Sequence, residues 1–217
     1  MKVLLQKLLR SRLIWRLSGL TWPTAVITTK GSYLSEERYL EACRKECELL
    51  KQYAKAGFQV LEFGCGLGGN SIAVAPHAGR VVGLDINPFF VGQARKIASR
   101  RQATNCEFVS YDGGRLPFDD GRFDMVFSIG VFERIPKPLV DFYVGEFNRV
   151  LKSGGISCQS FLNQNARQNE AFLRKLGKEA YVYFGRDELA TLHDRKQLKV
   201  ERVIDWPIND VFVARKP

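Results

Sequence analysis

The chain has 217 residues, 45% apolar and 12% aromatic, enough for one substantial core, and it carries a net charge of +10. No apolar run reaches the roughly 18 to 20 residues that cross a bilayer, nothing repeats, and no proline- or glycine-rich linker divides the chain. The five cysteines, Cys43, Cys47, Cys65, Cys106 and Cys158, are irregularly spaced beside only two histidines, which argues against a disulfide framework and a zinc site and predicts reduced thiols.

Residues 1–34 hold Lys2, Lys7, Arg10, Arg12, Arg16 and Lys30 without one acid, so only +4 remains for the other residues. Leucines and Trp15 alternate with these cations, yet on a wheel of about 100° per residue the apolar positions spread around most of the circumference. Three readings stay open: a helix on an anionic membrane surface through residues 1–22, a cap over a substrate site, and a cleavable organelle presequence. We therefore expect an extension, 1–34, and one domain, 35–217, in a cytoplasmic protein with peripheral membrane contact. Ser35 is placed to cap a helix whose first turn carries Glu36 and Glu37. Its Leu40, Cys43, Cys47, Leu50 and Ala54 follow the spacing of one buried face, so the two cysteines read as core.

Next comes Val60-Leu-Glu-Phe-Gly-Cys-Gly-Leu-Gly-Gly-Asn70, then Asp85 at the end of Val-Val-Gly-Leu-Asp. This is the pattern of a strand near 58–63, a glycine-rich turn, a helix near 70–76 and a second strand, 80–85, ending on a carboxylate, as in nucleotide-binding α/β sheets. Gly64, Gly66 and Gly68 allow positive φ and let an extended ligand lie against the main chain. The cofactor's carboxylate is expected to face the start of the helix near Asn70 and Ser71. Gly64, Gly66 and Gly69 also satisfy the dinucleotide pattern G-x-G-x-x-G, so a nicotinamide oxidoreductase stays open here. Glu62 tilts the balance, because a carboxylate two residues before the first glycine repels a pyrophosphate and attracts a ligand bearing an ammonium and a sulfonium. That favours S-adenosylmethionine over NAD.

A helix near 89–102 leads to a strand at 106–110 that runs into Asp112-Gly113. Leu116-Pro-Phe-Asp-Asp-Gly-Arg-Phe-Asp124-Met-Val-Phe-Ser-Ile-Gly-Val-Phe-Glu133 then places a strand at 123–128, followed by a helix at 137–150 and Val150-Leu-Lys-Ser-Gly-Gly155 before a strand at 155–162. With these motifs in order, residues 58–160 resemble the class I S-adenosylmethionine-dependent methyltransferases, in their small-molecule, type 11-like group. The resemblance implies an α/β fold: a Rossmann-like, doubly wound, seven-stranded, mainly parallel sheet with an antiparallel C-terminal hairpin strand, in a three-layer sandwich. The end of the chain fits, with a helix at 186–196 and strands at 197–205 and 210–215 joined by Trp206-Pro207.

Carried over residue by residue, the resemblance implies that Glu62, Gly64, Gly66 and Gly68 hold the methionine end. Asp85 takes the ribose hydroxyls and Ile86 one adenine face, Asp112 with Gly113 reads the adenine edge, and the Ser128 carbonyl meets the ammonium. The family commonly has Glu-His where this chain has Glu133-Arg134. Glu133 is the candidate to orient or deprotonate the acceptor, against the reading of a structural carboxylate; Tyr33 reads as a core or surface tyrosine, with closure over the cofactor as the alternative, and His77 and His193 read as surface residues. No metal is implied.

Acceptor choice should lie in residues 1–34 and in 163–184, where Arg167, Arg174, Lys175 and Lys178 mix with Phe172, Tyr181, Tyr183 and Phe184. That segment reads as a solvated helix with an aromatic face or as a lid for an anionic or lipid-carried acceptor. The expected partner is therefore a small molecule or a lipid or glycan acceptor. Nucleic acid is disfavoured, since the cations are not interleaved with an aromatic platform and Ser128-Ile-Gly-Val lacks the Asn-Pro-Pro-Tyr loop of exocyclic-amine methylation. Methyltransferase, nicotinamide oxidoreductase and a membrane-associated binding or scaffolding protein remain the three alternatives.

Overall fold

The computed structural model describes residues 35–163, 182–206 and 209–217. The N-terminal extension with Tyr33, the segment 164–181 and Pro207 therefore lie outside the described residues.

The chain divides into two compact units. Described residues of the first are 35–117 with 123–125. It begins with α1 (Glu36–Leu50), whose cap is the predicted one: the Ser35 side chain accepts from the Arg38 N–H at 3.3 Å. Leu40, Cys43, Cys47 and Leu50 form the buried face as expected, joined by Tyr39, while Ala54, expected on the same face, is buried beyond the helix end. β1 (Gln59–Phe63), α2 (Gly69–Val74), a 3₁₀ turn (Ala75–His77), β2 (Arg80–Asp85), α3 (Pro88–Arg100) and β3 (Cys106–Ser110) follow. β1 pairs with β2, and β2 with β3, all parallel, with Glu62 opposite Gly83 and Asp85 opposite Ser110. Parallel strands covered on both faces read as continuous apolar runs, and β1 and β2 do so. Their register brings the ends of β1 and β2, with Gly64 and Asp85, to the same edge, the place where α/β sheets bind ligands.

The second unit comprises residues 118–122 and described residues from 126 onward. It takes the end of β4 (Phe123–Ser128), a 3₁₀ turn (Phe132–Arg134), α4 (Lys137–Val150), β5 (Leu151–Leu162), α5 (Arg186–Arg195), β6 (Lys199–Asp205) and β7 (Asn209–Arg215). β7 runs antiparallel to both β5 and β6, the latter pair shifting register between Val200 and Arg202. The strand order β3-β2-β1-β4-β5-β7-β6 is the predicted seven-stranded Rossmann-like arrangement, with antiparallel strands at the C-terminal end. The core of this unit is aromatic. Phe161 stacks on Phe132 at 5.1 Å and meets Phe184 and Phe212 edge-on.

Two expectations change. β5 begins at Leu151, not near 155, because Gly154, at φ +75°, donates its N–H to the Lys216 carbonyl at 2.9 Å while Lys216 donates to Gly155. The glycines predicted as a turn before the strand are thus held inside it by the C-terminal residues. His193 is fully buried, not a surface residue: its ring lies parallel to Phe212 at 5.4 Å and its Nδ1–H donates to the Leu189 carbonyl at 2.7 Å. Burial holds its pKa below the ordinary range. His77 is exposed, as expected.

Candidate functional site

The glycine turn between β1 and α2 is fixed at three points. At its entry the amides of Gly64 and Cys65 both donate to the Leu84 carbonyl, at 2.7 and 3.0 Å. In the middle Gly66 N–H donates to Asp85 Oδ2 at 2.9 Å, and at the exit Gly69 N–H donates to the Tyr39 hydroxyl at 3.1 Å. Gly64, Gly66 and Gly68 have φ of +75°, +52° and +79°, a region that costs an L-residue roughly 1–2 kcal/mol. Space is equally strict at Gly68, where a Cβ would stand 2.6 Å from the Phe108 ring. The predicted turn is therefore a cradle of bare backbone.

Its two carboxylates are held differently. Asp85, half-buried at the tip of β2, accepts from Gly66 N–H and, through Oδ1, from Asn87 N–H at 2.8 Å. Burial pushes its carboxyl pKa up to about 6, against the backbone N–H groups that favour the charged form. Asn87 in turn caps α3, its side chain accepting from Phe89 and Phe90. Asn-Pro ahead of an apolar helix is a readable capping signal, and Asn87 adds a support for Asp85 that the glycine motif does not include.

Glu62 is 2% exposed, and its Oε2 accepts from both the backbone N–H and the hydroxyl of Ser71, at 2.8 and 2.5 Å. It anchors α2 from within, a function the sequence did not reveal. Two amides of the α2 first turn, Gly69 and Ser71, thus already have protein acceptors. A buried helix end has to satisfy its own donors, and Tyr39 and Glu62 do so for these two. Tyr39 is 2% exposed, and burial raises its pKa well above the phenol range, so the hydroxyl keeps its proton. Of the adenine-side residues, Ile86 is half-buried beside Asp85, Gly113 is buried at φ +85°, and Asp112 is exposed, accepting from Gly114 N–H at 2.9 Å. The first unit therefore brings together Glu62, Gly64, Gly66, Gly68, Asp85 and Ile86.

Ser128 and Glu133 belong to the second unit. Ser128 is fully buried at the end of β4. Glu133 sits in the following 3₁₀ turn, 7% exposed, and its backbone carbonyl accepts from Val182 N–H at 2.7 Å. Gly130, at φ +73°, comes within 3.6 Å of Glu133 Oε1 at the point a Cβ would occupy, and its N–H donates to the Ser160 hydroxyl at 2.9 Å. A nearly buried carboxylate in the loop after a strand tip is a group able to take or hold a proton. Beyond β5, Asp210 is gripped by Arg186 through Nε and Nη2, at 2.8 and 2.9 Å, and by Asn163 Nδ2 at 3.2 Å. This joins the end of β5 to the start of β7. Among the described residues no three His, Cys, Asp or Glu side chains gather to hold a metal ion. No described helix is long and apolar enough to cross a membrane.

Residues 60–155 match the family described as "Methyltransferase domain". The 24-methylenesterol C-methyltransferase 2 of Oryza sativa subsp. japonica is 43% identical over 107 residues, which are 48% of this chain and 28% of that protein, so the chain spans less than a third of that relative. Among solved structures, the PH0226 protein of Pyrococcus horikoshii OT3 aligns with a TM-score of 0.72 at 24% identity, covering 85% of this chain and 93% of the other. The [4+2]-cyclase SpnF aligns with a TM-score of 0.74 at 17% identity, covering 95% of this chain and 96% of the other.

Proposed function

We propose that this chain carries a class I S-adenosylmethionine-dependent methyltransferase domain and that the protein transfers the methyl group of that cofactor to a small, lipid-type acceptor. The observation that carries the reading is the bare-backbone turn with a half-buried carboxylate at the next strand tip. The cofactor fits the residues present. Gly64, Gly66 and Gly68 leave room for its amino-acid tail, with Glu62 as a carboxylate for its ammonium, and Asp85 has oxygen lone pairs left for ribose hydroxyls. Ile86 would face the adenine, with Asp112 and Gly113 at its edge.

When bound, the cofactor supplies a methyl group activated by a sulfonium. What the chain contributes is alignment and exclusion of water, and holding reactants in line is worth roughly 7–11 kcal/mol. Transfer breaks the methyl–sulfur bond and forms a bond to the acceptor, which must shed a proton if it reacts as O–H or C–H; Glu133 is the group assigned to receive or orient that proton. The lipid-type acceptor rests on the sterol methyltransferase to which residues of this domain are similar. We extend the proposal to place the protein in the cytoplasm, docked on an anionic membrane surface by the six unopposed cations of residues 1–34.

A second reading, cofactor binding without methyl transfer, is favoured by two observations. Arg134 stands where the family commonly has histidine, and the [4+2]-cyclase SpnF shares the fold. Incubation with methyl-labelled cofactor and a panel of sterols, prenylated quinones and lipid-linked glycans separates the two. We expect label in one lipid class, and a roughly 10²- to 10⁴-fold slower rate for Glu133→Gln with cofactor affinity unchanged. Cofactor binding with no labelled product from any acceptor would leave the second reading standing.

A further inference from the structure

We propose that Tyr39 is a positioning residue for the cofactor's amino-acid end, acting through the Gly69 amide. The inference rests on the cofactor reading above and adds a part to it from outside residues 60–155, where the family match lies.

Three anchors hold the glycine turn. Two of them, the Leu84 carbonyl and the Asp85 carboxylate, come from β2, the strand next to β1. The third is the Tyr39 hydroxyl, delivered by the first turn of α1. It is placed with little slack. A Cβ on Gly69 would stand 2.5 Å from Cys43 Sγ and 2.8 Å from two atoms of the Tyr39 ring, so α1 lies directly on the exit of the turn. The Tyr39 ring is also packed in a cluster with Leu40, Cys43, Leu67, Phe90 and Ile97, which fixes where its hydroxyl points. Packing alone explains the ring. It does not explain the oxygen, since phenylalanine would fill the same volume; the hydroxyl accounts for a buried backbone donor that otherwise has no acceptor.

The anchor matters to a ligand because of what precedes Gly69. Gly66 and Gly68 both sit at positive φ, and without the Tyr39 hydroxyl the next side-chain anchor is Glu62 on Ser71, two residues further on, so the glycine-rich segment before it samples more conformations. An extended tail lying against that backbone needs one of them. Losing the exit anchor should therefore weaken binding of ligands that have the tail and spare ligands that only reach the nucleoside side, where Asp85 keeps its own supports, Gly66 and Asn87.

The test uses the full chain, Tyr39→Phe, and two probes titrated by calorimetry. S-adenosylhomocysteine carries the amino-acid tail, and 5′-methylthioadenosine lacks it. We expect the Kd of the first to rise roughly tenfold and that of the second to stay within about twofold. As a control, Leu189→Ala, in α5 of the other unit, should lower thermal stability without moving either Kd. Equal weakening of both probes would reduce Tyr39 to a general stabiliser and overturn the proposal, as would unchanged binding of both. Should the wild type bind neither probe, the cofactor reading fails and this inference with it. If Tyr39→Phe does not fold, hydrogen exchange of the wild-type Gly69 amide decides. Protection that deepens on adding S-adenosylhomocysteine is expected; an amide that exchanges freely in both states would refute the anchor.

Discussion

The two units carry different kinds of functional group. In the first, the site is made of main chain: a turn of glycines held by a carbonyl, a carboxylate and a phenol, with side chains serving mostly to fix backbone. In the second, the candidate groups are side chains in loops, Glu133 above all, set over an aromatic core of Phe132, Phe161, Phe184 and Phe212. A ligand gripped by backbone demands particular residues at fixed spacing. An acceptor met by side chains from separate loops imposes no such local pattern.

The contrast can be broken most forcefully at Gly68. Gly68→Ala forces a Cβ into the Phe108 ring and an L-residue to φ +79°, and we expect a loss of about 2–4 kcal/mol of stability together with cofactor affinity. Thermal unfolding and calorimetry report both; a variant that binds and melts like the wild type would show that the turn is not constrained by shape.

That difference also explains what the sequence disclosed. Ser35-Glu-Glu announced the start of α1, alternating strand and helix patterns located β1 to β4 within a residue or so, and Gly64 to Gly68 with Asp85 marked the crevice. The chain did not disclose Tyr39, because its partner is a backbone amide 30 residues away and no side-chain pattern records that pairing. The first turn's contact with Cys43 at i+4 was the available hint. β5 was placed late because the glycines at 154 and 155 resemble a turn until the C-terminal Lys216 is seen to pair with them. His193 was misread because α5 is polar on average, although Leu189, Leu192 and His193 follow a buried i, i+3, i+4 stripe. The acceptor side was hardest to read.

A smaller effect sharpens the comparison in the second unit. Burial lowers the His193 pKa below its ordinary 6.5, so the unfolded chain binds this proton more readily than the folded one. Its contribution to stability is then complete above pH 6.5 and is lost as the pH falls further, with a slope of at most about 1.4 kcal/mol per pH unit for one proton. Comparing melting temperatures of wild type and His193→Phe between pH 7.5 and 5 should show the gap moving in favour of the variant under acid. A gap independent of pH would mean that burial does not lower the His193 pKa relative to the unfolded chain.

The claim on which the account turns is that a backbone cradle closed by Asp85 receives an adenosyl amino acid, and titration calorimetry of S-adenosylhomocysteine and NAD across pH tests it most directly. With its carboxyl pKa near 6, Asp85 should be charged at pH 7.5 and accept the ribose hydroxyls. S-adenosylhomocysteine should then bind and NAD should not. Affinity should weaken as the pH falls below about 6, approaching tenfold per unit, and the Asp85→Asn variant should bind more weakly with no such dependence. Tight NAD binding in place of S-adenosylhomocysteine, or binding of the latter that ignores both pH and Asp85, would contradict it.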